Sequence, residues 1–75
     1  MLEYLAAKNI GRIIYEALLS RNATYMELKD AIKLIPGIDD YSKRKFIYIL
    51  YVHDIIDIQN GIITITNEEL FNDDY

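Results

Sequence analysis

Asn60-Gly61 restricts the fold of this chain more than any other pair of residues. Ile55-Ile56-Asp57-Ile58 and Gln59 precede it, and Ile62-Ile63-Thr64-Ile65-Thr66 follows. Both runs alternate with the two-residue period of a half-buried strand, and Asn-Gly is the preferred pair for a two-residue type I′ turn. Such a turn sets Gln59 opposite Ile62, Ile58 opposite Ile63, Asp57 opposite Thr64 and Ile56 opposite Ile65. Isoleucine then meets isoleucine on the inner face, while Asp57 and Thr64 share the outer one. A slip of one residue would turn every isoleucine to the other side. Register and pattern therefore agree on a β-hairpin.

The stretch before it, Asp40 to Asp54, admits two readings. The β-branched and aromatic run Phe46 to Val52 suits a buried strand, which would give two helices and a three-stranded sheet. As a helix, the same stretch turns Phe46, Ile49, Leu50 and His53 to a core and Tyr41, Arg44, Tyr48 and Tyr51 to the opposite side. Three features favour the helix. Asp39 and Asp40 stand where an N-cap belongs, and negative charge is favourable at a helix start. The run of about 14 residues is long for a strand. Only helical spacing separates the side chains into sensible faces.

Upstream, residues 2 to about 20 predict a first helix. Ile10, Ile13, Ile14, Ala17 and Leu18 recur at helical spacing, with Leu2, Leu5 and Ala6 extending the stripe backwards. Arg12 and Glu16, four apart, are spaced to pair weakly. Gly11 costs about 1 kcal/mol against Ala in a helix, and marks either close packing or a break. After a turn at residues 20–23, Thr24-Tyr25-Met26-Glu27 fits the capping box. It predicts a second helix running to about Leu34, with Leu28, Ala31, Ile32 and Ile35 buried. Pro36-Gly37 ends that helix.

Seventy-five residues make one small domain, near the lower limit for folding without staples. There is no cysteine, so disulfides and thiolate metal sites are excluded. No apolar run approaches the roughly 20 residues of a membrane span, and Met1-Leu2-Glu3 lacks the basic start of a signal peptide. A cytoplasmic protein is the expectation. An apolar content of 52 % is high for a chain with so much surface, which points to an interface, such as that of a homodimer. The net charge of −4 is unevenly spread: Glu68, Glu69, Asp73 and Asp74 carry it, and the remaining acids balance the eight basic residues. The chain is thus expected to divide into a domain over residues 1–66 and an acidic C-terminal tail over 67–75. That tail is expected to be disordered. Leu70, Phe71 and Tyr75 among its acids leave open a short binding motif or an extension of a dimer.

Helix, helix, helix, hairpin is an α+β arrangement. With Thr24-x-x-Glu27 opening the second helix, the Pro36-Gly37 turn, the third helix and the Asn60-Gly61 wing, residues 10 to 66 resemble the winged helix-turn-helix family. The small size and the Ile- and Tyr-rich composition look like the short winged-helix DNA-binding proteins of thermophilic archaea, their plasmids and viruses. The resemblance implies double-stranded DNA as partner, a role in transcription regulation, and a third helix that enters the major groove while the wing touches backbone or minor groove. Ser42, Lys43, Arg44 and Lys45 would lie in the first turns of that helix. Arg44, furthest from the predicted core, would read a base, since a guanidinium bonds guanine twice. Lys43 and Lys45 would hold phosphates, Tyr41 and Tyr48 would bond phosphate or pack on sugar, and Lys29 and Lys33, with Arg21, would extend the backbone contact.

Other features point elsewhere. The wing carries Asp57, Gln59 and Asn60 and neither Lys nor Arg, so Asn60 would bond a phosphate without Coulomb attraction. Asp39, Asp40 and the tail repel phosphate, which keeps non-specific affinity low. The alternative is a winged helix that binds protein rather than DNA, with Tyr48, Tyr51 and Val52 at the interface, and Lys43-Arg44-Lys45 as a solvated face. Enzyme chemistry has little footing. His53, the single histidine, falls on the predicted core side, the Asp pairs lack metal-site spacing, and neither a cofactor motif nor a glycine-rich phosphate loop occurs.

Overall fold

A computed structural model describes residues 2–71. The hairpin forms in the predicted register. Strand β2 (Ile56–Gln59) pairs antiparallel with β3 (Ile62–Ile65), with Ile56 opposite Ile65 and Ile58 opposite Ile63. Asn60 and Gly61 both take positive φ, 53° and 74°, as a type I′ turn requires.

A third strand was not legible. Met26–Glu27 forms a short β1 against β3, with Met26 opposite Ile63 and Glu27 opposite Ile62, so the sheet order is β1-β3-β2. The first correction follows from it. Glu27 is extended, at φ −74° and ψ 144°, and the second helix, α2 (Leu28–Leu34), starts only after it, without a side-chain cap. The capping box of Thr24 and Glu27 does not form. Burying Met26 beside Ile63 is worth about 1.5–3 kcal/mol, more than the ~1 kcal/mol of a typical cap. Pairing with β3 also occupies the backbone that a helix would need. Thr24→Ala is therefore expected to leave thermal stability within about 0.5 kcal/mol of the parent, as thermal denaturation can check. A loss above about 1 kcal/mol would restore the cap.

Helix α1 (Leu2–Ser20) is unbroken through Gly11. A Cβ there would stand 2.8 Å from the Phe71 ring and 3.2 Å from Leu50, so the glycine permits close packing. Ala7, Ile10, Ile14, Tyr15 and Leu18 form the buried stripe. Ile13, Ala6 and Ala17 flank it, and Leu5 is exposed rather than buried. The Leu2 side chain lies outside the described part. Helix α2 buries Ala31 and Ile32 and ends at Ile35, extended before Pro36, with Gly37 at φ +84°.

Helix α3 (Asp40–Val52) settles the choice between helix and strand. Its buried face is turned slightly from the expected one: Ile47 and Leu50 are buried, Phe46 and Ile49 flank them, and His53 is exposed. The imidazole is not in the core as its spacing suggests. It closes the end of α3 and lies 4.9 Å from the Tyr4 ring. The core is built from Ile14 of α1, Ile47 and Leu50 of α3, Ile55, and Ile56 and Ile63 of the sheet.

Leu70 and Phe71, beyond Thr66, join this core. A 3-10 turn at Glu68–Leu70 delivers Phe71, only 5 % exposed, onto the Tyr15 ring at 5.4 Å. The Arg12 guanidinium lies 5.9 Å from the centre of the same ring. Arg12 makes no ion pair with Glu16 among the described residues. Asp73, Asp74 and Tyr75 lie outside the described residues.

Candidate nucleic-acid interface

The start of α3 splits its basic cluster in three directions. Lys43 shares a helical side with Ile47 and Leu50, four and seven residues on, and its side chain is only 14 % exposed. Its Nζ stands 3.9 Å from Asp40 Oδ1. Lys45 points to α1, where its Nζ lies 3.0 Å from Glu3 Oε2. The hydrogen bond and the charge of Glu3 raise the Lys45 pKa above its ordinary value. Arg44 points outward and has no ion-pair partner among the described residues. One guanidinium remains free.

Tyr41, Tyr48 and Tyr51 are exposed with Arg44 along one side of α3, as the spacing predicts. Tyr48 and Tyr51 hold their rings 6.1 Å apart. Ser42 is half-buried, and its hydroxyl is the main cause that holds the Asp39 carboxyl below the usual carboxylate range. Asp39 takes the N-cap position of the helix, extended at ψ 162°, though its side chain closes no cap hydrogen bond.

A groove of about 490 Å³ brings three of the expected residues together. Arg44 of α3, Lys29 of α2 and Asn60 of the hairpin tip line it, with Glu27, Leu28, Gly61 and Ile62. The short strand β1 creates the juxtaposition. The Leu28 N–H donates to the Gly61 carbonyl at 2.8 Å, fastening the start of α2 to the hairpin tip. Glu27 sits 3.4 Å from Lys29 and offsets part of its charge. Lys33, in the last turn of α2, is exposed and lies outside this groove, as does exposed Arg21. Glu3 is the residue that sequence reasoning missed. Nothing local marks it, because it meets Lys45 only where α1 packs on α3.

Among the described residues, no group of three or more His, Cys, Asp or Glu side chains is placed to hold a metal ion. No described helix is long and apolar enough to cross a membrane. Comparison of the chain with protein families, curated proteins and solved structures returns no match.

Proposed function

We propose that the protein is a winged-helix domain that binds double-stranded DNA sequence-specifically, as a transcriptional regulator acting as a homodimer. Helix α3 is the element offered to the major groove and the β2-β3 hairpin is the wing. One observation carries the reading: unpaired Arg44 stands at a groove shared with Lys29 and Asn60, where recognition helix, preceding helix and wing tip converge. Arg44 serves base recognition, and Lys29, Lys33 and Arg21 serve the backbone. Exposed apolar side chains, Leu5, Leu19 and Ile38 among them, support association of two copies. Electrophoretic mobility shifts on DNA from the protein's own genomic neighbourhood test the proposal. A specific, salt-sensitive complex is expected, and its absence on all such DNA would sink it.

The arrangement makes the salt dependence informative. With few free cations, the slope of log affinity against log salt should lie at roughly −2 to −4 per protomer. Glu3→Gln should release Lys45 for a further phosphate. It is expected to raise affinity roughly two- to fivefold and to steepen the slope by about 0.9 for each protomer. Titrations of DNA at several salt concentrations measure both quantities, and an unchanged slope would show that Lys45 stays clear of the DNA.

A second reading, an assembly module that binds protein, is favoured by Tyr48, Tyr51 and Val52, which are 61 %, 41 % and 57 % exposed. It predicts a partner lost on Tyr48→Ala or Tyr51→Ala, with DNA binding nil throughout.

A further inference from the structure

The two ends of α3 differ in charge, and the far end has a groove of its own. About 460 Å³ in volume, it is lined by Tyr51 and Val52 of α3, Asp54 of the connecting turn, Ile56 and Asp57 of β2, and Thr66. Its charged residues are both acids, and neither carboxylate has a cationic partner among the described residues. Asp57 accepts a hydrogen bond from Gln59 Nε2 at 3.0 Å, and the Asp54 side chain is exposed.

We propose that this groove docks an extended cationic segment of a partner protein. Charge selects the occupant. Asp54 and Asp57 repel nucleic acid, and an apolar surface closing over them would bury unpaired carboxylates at a cost. A lysine or arginine side chain pairs with the two acids and lays its charge near the Tyr51 ring. Its aliphatic stem covers Val52, which is exposed. The backbone of the segment has a partner as well. β2 lies at the edge of the sheet and is paired only with β3, so its other side offers free N–H and C=O groups for strand addition.

The groove is also fixed in shape. The Thr66 hydroxyl donates to the Asp54 carbonyl at 2.7 Å, the Thr66 and Asn67 N–H groups both donate to the Ile55 carbonyl, and the Ile55 N–H donates to Leu50. Little ordering of the turn is then left for binding to supply. Tyr51 and Val52 lie about 11–12 Å along α3, at 1.5 Å per residue, from Arg44. The inference stands independently of DNA binding.

Titration of a capped peptide of alternating lysine and valine into the isotope-labelled full chain, followed by amide chemical shifts, tests this. Shifts are expected at Tyr51 to Gln59 and at Thr66. Affinity should fall roughly three- to tenfold when both Asp54→Asn and Asp57→Asn are present. A peptide with glutamate in place of lysine should leave the spectrum unchanged, a control that needs no variant to fold. No shift at millimolar lysine peptide, shifts centred on Arg44 and Lys29 instead, or equal binding of the glutamate peptide would each overturn the proposal.

Discussion

On the proposed function, Arg44→Ala is expected to weaken specific DNA binding by roughly 5- to 150-fold, the 1–3 kcal/mol of one good base contact. The three basic neighbours at the start of α3 are not equivalent, so their alanine variants should separate. Lys43→Ala removes a side chain that is mostly covered on the Ile47 and Leu50 side, so its effect should fall on stability rather than on DNA affinity. Lys45→Ala removes a cation already held by Glu3, and should change affinity far less than Arg44→Ala does. Fluorescence anisotropy on one operator-length duplex, with circular dichroism on each variant, resolves the three. Equal losses for Lys43, Arg44 and Lys45 would contradict the assignment, because they would describe a diffuse positive patch.

Phe71→Ala should be the most destabilising of the changes considered. The ring is nearly fully buried, packs on Tyr15 and fills the space left by Gly11. Truncating a buried phenylalanine costs about 3–5 kcal/mol, and at this size each kcal/mol lowers the melting temperature by about 4–8 °C. A drop of roughly 12 °C or more is expected at the low end of that cost. Ending the chain at Thr66 should be at least as damaging, since it also removes the 3-10 turn. A variant melting within about 2 °C of the parent, well under one kcal/mol, would show that Phe71 adds nothing to the core. Gly11→Leu tests the same contact from the other side, and should destabilise by about 1–3 kcal/mol through overpacking.

Local signals in the sequence were read well where they depend on a few neighbouring residues. Asn60-Gly61 demands two positive φ angles, and the alternating isoleucines allow only one register across it. The length and capping acids of Asp40 to Val52 selected helix over strand despite its β-branched residues. Pro36-Gly37 stopped α2 because proline restricts the residue before it. The same local reasoning misplaced Thr24 to Glu27. A two-residue strand has no period to detect, and its partner β3 lies far along the chain.

Periodicity identified which residues alternate, recur or turn, and so determined the three helices, the hairpin and the exposed tyrosine side of α3. It could not determine how far each helix is rotated about its axis, because that depends on which surfaces press against it. A small rotation of α3 buries Ile47, exposes His53 and turns Lys43 toward the core side. Packing of α1 against α3 brings Glu3 to Lys45, and the turn after β3 carries Phe71 into the gap at Gly11. Pairing of β1 with β3 draws Lys29 and Asn60 to Arg44. Charge pairing and burial are through-space properties, whereas the sequence records order along the chain. Only the tertiary structure reduced a run of three cations to a single unpaired arginine.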